Sequence, residues 1–541
     1  MSDFFKRRDL GALLTILILL SLLSYLVAFG VINLAGFDRF CTTDMYEDTL
    51  VARLIWEQKT LFPKNYLFGN QFYVIATPVL AALFYGITGS MNLAMGLATT
   101  LMGLLILLAL NWMIKPFVKQ RHIRYLALLM LAACSFGPET VTREDGQLFF
   151  VMCSFYACYL IAFFFLMGDY ARARESEELR PIALAIALFL SFCTGMQSLR
   201  QTCVSMLPIL CLEFLSAFNR LIRKEPLFLK PKRMSLIRAF SYLGANILGV
   251  LFIKLLKVQR NEIYYGQSIF NGASIRGKIK DVHNALVTVS GYDFARTGAH
   301  PFFIILFIVF TLLIVYAAVT LIRKKRTDAC AVFWWLCIIS VLAVIAASFV
   351  TSVSLRPIYL FPYYTLPALS FIVVAPQLKP RFQTALCLLL VVFASANIYY
   401  SYHTQLSRSF EESSSASKQV SDFAIENGYE LVYGSHSHTA PAIAVHSDGK
   451  LLAGCWEDDV IFKVSPHINI KDIYYLADYE RAIFVFLENE LPLALAETSS
   501  NGTELYFQGQ FGRFYVYTAS KQLLYPISEL IYLEERFPEY N

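Results

Sequence analysis

Long apolar runs broken by short basic loops fill roughly the first 400 residues, a pattern that predicts helices crossing a membrane. Leu10 to Ile32 is about 23 residues of nearly unbroken apolar sequence behind Lys6-Arg7-Arg8. It is too long for a signal-peptide core and no small-residue cleavage site follows it, so it predicts a retained first helix with a cytoplasmic amino terminus. The next runs are Phe72 to Gly86 and Met91 to Met113, followed by Lys115, Lys119, Arg121 and Arg124. If both crossed the bilayer, this basic run and the later ones would lie outside, against the inward bias of Lys and Arg. Phe72 to Gly86 is short and carries Pro78, so it is expected to lie in or dip into the outer leaflet. The basic segments 115–124, 169–180, 220–238, 323–326 and 379–381 then fall inside, and 33–90, 138–147, 197–201, 257–300 and 351–356 fall outside. The expected body has about eleven transmembrane helices and an external carboxyl-terminal region.

Near Tyr402 the pattern changes. Residues 1–402 read as the transmembrane domain, 403–416, with Glu411-Glu412-Ser413-Ser414-Ser415, as a polar linker, and 417–541 as a small extracytoplasmic α/β domain. Ala416 to Asn427 has helical spacing closed by Gly428, while Glu430 to Tyr433, Ala482 to Leu487 and Arg513 to Thr518 read as strands. The fold class is therefore mainly α, a polytopic membrane protein with an appended soluble module. Composition agrees: 57% of the 541 residues are hydrophobic and only 16% are charged. The net charge of +6 is no nucleic-acid signal, because the basic residues concentrate in the short loops. Nine of the eleven Cys lie in apolar segments as small core residues, and a disulfide between the other two, Cys41 and Cys455, stays open. No Gly-rich nucleotide loop or Walker-type sequence occurs, so there is no evident site for a cytosolic nucleotide donor.

Charges are scarce in such a chain, so those held at the outer face are candidate chemistry. Thr43-Asp44-Met45-Tyr46-Glu47-Asp48 places three carboxylates in five residues just beyond the first helix. On a helix starting near Asp44, the acids and Val51, Leu54 and Ile55 fall on one stripe, which predicts a helix along the membrane surface with its acids at the bilayer boundary. Asp44 as a cap with Glu47 as its capping-box partner is a purely local alternative. Arg143-Glu144-Asp145-Gly146 is a second charged turn on the same side. Gly195-Met196-Gln197-Ser198-Leu199-Arg200-Gln201 interrupts apolar sequence at an outer turn, where Arg200 is either a planar donor fork for a phosphate or a snorkelling anchor. Arg356-Pro357-Ile358-Tyr359 opens a late span. Alternating His436 and His438, with His446, have no matching Cys or carboxylate pattern for a metal, and their module reads as structural or acceptor-recognising.

These pieces, in this order and on one side, resemble the polyprenyl-phosphate-dependent glycosyltransferases of the GT-C fold, with the nearest likeness to the protein O-mannosyltransferases and the lipid A aminoarabinose transferases. The resemblance covers roughly residues 1–400. It implies a catalytic Asp in the first outer loop, matched by Asp44; because Met45 follows and Glu47 and Asp48 come next, Asp48 is the competing match. It implies a second acid in the next outer loop, matched by Asp145 beside Glu144. A basic residue after a Gly at an outer turn is matched by Arg200, beside Gln201, although many relatives carry Lys. An Arg with Tyr and Pro opening a late helix is matched by Arg356, Tyr359 and Pro362.

The activity so implied is transfer of a sugar from a polyprenyl-phosphate donor to an acceptor hydroxyl of a protein, lipid or cell-wall polymer at the outer face of the cell membrane. A carboxylate would serve as base and guanidinium groups would hold the leaving phosphate. Oxygen ligands of this kind also suit a divalent cation such as Mg or Mn, which leaves metal dependence open. The competing class is a multi-span transporter or flippase of lipid-linked saccharides, which would place ionisable residues near the midplane and commonly carry inverted repeats.

Overall fold

A computed structural model describes residues 2–41, 43–64, 66–69, 71–133, 156–176, 180–223, 233–258, 275–292, 301–351, 354–410, 415–436, 439–457, 460–464 and 479–520. The helical body runs through α1 (Ser2–Ala35), α2 (Phe37–Phe40), α3 (Thr43–Gln58), α4 (Thr77–Thr88), α5 (Met91–Ile114), α6 (Arg121–Ala132), α7 (Ala157–Ser176) and α8 (Pro181–Gln197). It continues through α9 (Leu207–Arg223), α10 (Arg233–Leu255), α11 (Ile275–Val289), α12 (Pro301–Arg323), α13 (Ala329–Val350), α14 (Leu366–Val374) and α15 (Pro380–Arg408).

Among the described residues, seven helical segments are long and apolar enough to cross a membrane: Gly11–Ala35 of α1, α5, α10, α12, α13, Pro357–Gln377 and α15. The other expected spans fall on α6, α7, α8 and Thr202–Phe218, which are shorter or, in α7, charged. α1 shows how the pattern works. Leu14, Ile18, Tyr25, Phe29 and Ile32 form a buried stripe, while Leu13, Ile16, Leu20, Leu23 and Val27 point outward and are exposed. An outward apolar face on so long a helix suits hydrocarbon, where it needs no protein partner.

Two expectations about loops change. The segments read as inner basic loops at 169–180 and 220–238 are in part packed helix: Asp169 of α7 pairs with Arg238 of α10 at 3.2 Å, and Arg174 of α7 with Glu213 of α9 at 2.7 Å, all four buried. Each buried charge has an opposite partner, so their desolvation is offset within the helix cluster. The helix expected from Phe72 begins only at Thr77, with Pro78 in its first turn. The backbone N–H groups of Val74 and Ile75 instead donate to the side-chain oxygen of Gln197, and that of Phe72 to the Gln197 carbonyl, which holds 72–75 open as an unwound segment. At about 18 Å, α4 is too short to span.

The soluble module comprises α16 (Ala416–Glu426), β1 (Leu431–Ser435), α17 (Ala440–His446), β2 (Leu452–Glu457), β3 (Val460–Val464), β4 (Ala482–Leu487), α18 (Leu491–Asn501), β5 (Leu505–Phe511) and β6 (Phe514–Ala519). Its sheet has the order β3-β2-β1-β4-β6-β5, with β1 parallel to β2 and β4 and the outer strands antiparallel. Stacked pairs Tyr433–Phe484 and Trp456–Phe486 fill its core. Cys455 is buried on β2 and Cys41 half-buried before α3, and no disulfide joins them.

The module rests on α3. The Ala453 N–H donates to the Tyr46 hydroxyl at 2.9 Å, Arg53 donates to the Gly449 carbonyl at 2.7 Å, and Asn92 at the start of α5 bonds Asp448 and Val445. α3 is therefore covered on the side expected to face solvent. Its buried residues, from Met45 and Tyr46 through Leu50 and Val51 to Ile55, run round most of the helix rather than along one stripe.

Candidate functional site

α3 gives its three acids three different surroundings. Asp44, in the first turn, has a side chain 60% exposed, with its Oδ2 3.9 Å from Nη2 of Arg356. The helix amino terminus favours negative charge there. Glu47 is partly buried and lies 3.7 Å from the Nε2 of His436 in the module. Asp48 is fully buried and hydrogen-bonded to Tyr73 of the unwound segment. Burial, with the neighbouring Asp44 and Glu47 charges, pushes its carboxyl well above the usual carboxylate range, although the Tyr73 bond opposes the shift. The three acids keep the one-face spacing of a regular helix but not a common environment, because the module and the 71–76 segment enclose the helix from two sides.

The second constellation forms where α8 ends. Ser198 is extended, Arg200 follows, and a π-helical turn, Thr202–Met206, leads into α9. Such turns are frequent at functional sites because they re-aim side chains. Nη1 of Arg200 donates to Oε1 of Gln71 at 2.9 Å, and its guanidinium carbon lies 4.6 Å from the Tyr156 ring centroid and 5.1 Å from that of Tyr359. Tyr156 and Tyr359 are hydrogen-bonded to each other. The aromatic faces and Gln71 fix a cation that stays protonated. Gly195 serves packing: a Cβ there would meet the Asn246 carbonyl oxygen of α10 at 2.1 Å, so only Gly permits this approach of α8 to α10.

Arg356 and Tyr359 come from the opening of the stretch Pro357–Thr365, a 3-10 segment ahead of α14. Arg200 and Tyr359 line a cavity of about 270 Å³. Ser198, Ser348, Thr351 and Ser354 add further polar groups to its wall, while Val204, Val344, Ala347, Leu355 and Phe361 make it largely apolar. The arrangement suits an amphiphile with an anionic head and an apolar tail.

The structure brings together Asp44, Arg356, Tyr359 and Arg200, with Glu47 and Asp48 on the same helix. Gln201 is buried, its amide bonded to the Ser205 hydroxyl at 2.5 Å, and it does not line the cavity. Glu144 and Asp145 lie outside the described residues. Within the outer segment 257–300, the described part contains α11, which packs against the Pro357–Thr365 segment. Among the described residues no group of three or more His, Cys, Asp and Glu is arranged to hold a metal ion. Sequence reasoning missed Gln71, Tyr73 and Tyr156, and weighed His436 only as a metal ligand. For Gln71 and Tyr73 there was a signal in the polar stretch Asn70-Gln71-Phe72-Tyr73 before an apolar run; for Tyr156 there was none, since an aromatic opening an apolar helix is ordinary.

No protein-family model matches the chain, and no curated protein matches it. Solved structures do. The chain superposes on ArnT from Cupriavidus metallidurans, solved in the apo state and bound to undecaprenyl phosphate, each with a TM-score of 0.55 over 94% of this chain and 98% of that one, at 12% identity. The chain has the ArnT fold. That likeness extends through the soluble module as well as the helical body, since 94% of the chain cannot be reached by the helices alone. One ArnT structure holds an undecaprenyl phosphate, an anionic head on a long apolar tail. At this identity the likeness speaks for the fold, and the chemistry of this chain rests on its own residues.

Proposed function

We propose that the chain is an integral-membrane glycosyltransferase that moves a sugar from a polyprenyl-phosphate donor to an acceptor hydroxyl at the outer membrane face, with inversion. The observation that carries this reading is a largely apolar cavity lined by Arg200 and Tyr359, with Arg356, the residue after its lining Leu355, paired with Asp44. The donor's tail would lie against Val204, Val344 and Leu355, and its phosphate between Arg200 and Arg356. The acceptor oxygen attacks the anomeric carbon, the bond from that carbon to the phosphate oxygen breaks, and the acceptor's proton passes to Asp44. Asp44 suits a base because its carboxylate is open to an incoming hydroxyl and is not buried. Asp48 does not: enclosed beside Tyr73, it favours the protonated form. Charge gathering on the departing phosphate meets two guanidinium groups, that of Arg200 held by Gln71 and the two tyrosine rings, which stabilises the transition state more than the ground state. One base and no nucleophile imply direct displacement and hence inversion.

The acceptor is a protein, lipid or cell-wall polymer, and the outer orientation follows from the inward bias of the basic segments. The test is transfer of a labelled sugar from a synthetic polyprenyl-phosphate donor by the protein in lipid nanodiscs, with Arg200→Ala as comparison. Transfer by the native protein that falls on removal of Arg200 is the expected result. Movement of the intact donor between leaflets of vesicles, with no sugar transferred to any acceptor preparation, would make the chain a flippase instead.

A further inference from the structure

Resting on the reading above, we infer that the soluble module is a working part of the transfer site and that His436 is a positioning residue for the acidic turn that carries Asp44. His436 follows the carboxyl end of β1, the central strand of the module, and its N–H donates to the Trp456 carbonyl at 3.0 Å, which ties it to β2. From that anchored backbone its carbonyl accepts from the Thr43 hydroxyl at 3.4 Å, and its Nε2 reaches to 3.7 Å from the Glu47 carboxylate. Thr43 immediately precedes Asp44, and Glu47 lies three residues beyond it. A single module residue therefore lies against the α3 turn on both sides of Asp44. Tyr46, bonded to Ala453, adds a third point on the same turn. The exposed Asp44 carboxylate makes a long contact with Arg356, so its place relative to Arg200 and Arg356 depends on how that turn is held. The effect of a base is steep in position, so a residue that fixes the turn sets turnover without touching substrate.

A second contact of the same kind supplies the control. Nδ1 of His446 on α17 lies 3.1 Å from Oδ2 of Asp38 on α2. It also joins module to helical body, but it reaches α2 rather than the turn of Asp44. Simple docking of the module would make the two histidines equivalent, whereas a positioning role would separate them.

The experiment measures steady-state transfer from the polyprenyl-phosphate donor in nanodiscs for the native protein, His436→Ala, His436→Gln and His446→Ala, with thermal unfolding of each. His436→Ala is expected to lower kcat about tenfold or more with KM for the donor within about twofold, and His436→Gln, which keeps a polar tip, to recover part of the loss. His446→Ala is expected to keep native kcat at a comparable thermal shift. Equal kcat losses in His436→Ala and His446→Ala, or native kcat in His436→Ala, would overturn the inference. Absence of transfer by the native protein would instead overturn the glycosyltransferase reading, and the mobility of the turn then carries the test: with no turnover, the inference fails if a spin label on the exposed position of Asp44→Cys moves equally with and without His436→Ala.

Discussion

Asp44 and Asp48 carry the same group one helical turn apart, yet only Asp44 meets the outer space of the site. The raised carboxyl of Asp48 makes a prediction that does not depend on activity. A folded-state value above the unfolded one means that the neutral form favours folding: this contribution is fully present below the unfolded value near 3.9 and is lost as pH rises through the folded value. Asp48→Asn fixes the neutral form and can still bond Tyr73. It is expected to unfold no lower than the native protein at pH 8 and to fall behind it only in acid, as read by thermal scans across pH. A variant markedly less stable at pH 8 would mean that Asp48 is ionised and paired. Arg200→Lys keeps the charge but loses the planar fork, the Gln71 bond and the stacking on Tyr156 and Tyr359. Donor affinity is expected to fall about three- to thirty-fold, in keeping with ~1–2 kcal/mol for a desolvated cation on an aromatic face. Native affinity in Arg200→Lys, measured with undecaprenyl phosphate, would reduce Arg200 to a point charge.

Helices placed the site more than motifs did, and α8 shows how. Its approach to α10 at Gly195 sets where the chain breaks before Arg200. Gly195→Ala is expected to cost about 1–3 kcal/mol and to lower donor affinity, because the added methyl has only backbone to meet at 2.1 Å. Gly244→Ala, on α10 with nothing within 4 Å of the new methyl, is the control and should be neutral or slightly stabilising. Element positions were legible in sequence wherever burial is local. The run read at Met91 to Met113 is α5, and β4 coincides with the run read at Ala482 to Leu487, because lipid or core surrounds every turn. The start of α4 was not legible, since Gln197, far along the chain, captures the backbone that would have begun it. Nor was β5, an edge strand whose Tyr506 and Phe507 are exposed and which carries no alternating pattern. The full enclosure of α3 needed the module on one side and the 71–76 segment on the other, contacts separated from it by hundreds of residues in one case.

At the scale of the whole molecule, the contacts of β1, β2 and α17 with α2 and α3 put the module on the same side of the helical body as Asp44. On the proposed orientation, which rests on the inward bias of basic segments, that side is the outer one, so a reporter active only in the cytoplasm, fused after residue 541, is expected to be silent; activity would invert it. The sequence resemblance left the choice between two acids open, and the proposal of Asp44 rests on the different enclosure of the two. The claim at the centre of the account is that a carboxylate at this turn takes the acceptor's proton. Asn caps a helix about as well as Asp, so Asp44→Asn preserves the fold while removing the base. The deciding measurement is the rate of sugar transfer from a polyprenyl-phosphate donor in membranes holding equal amounts of native protein, Asp44→Asn and Asp48→Asn. The account predicts a fall of roughly 100-fold or more in Asp44→Asn and a small change in Asp48→Asn; full activity in Asp44→Asn, or a loss confined to Asp48→Asn, would contradict it.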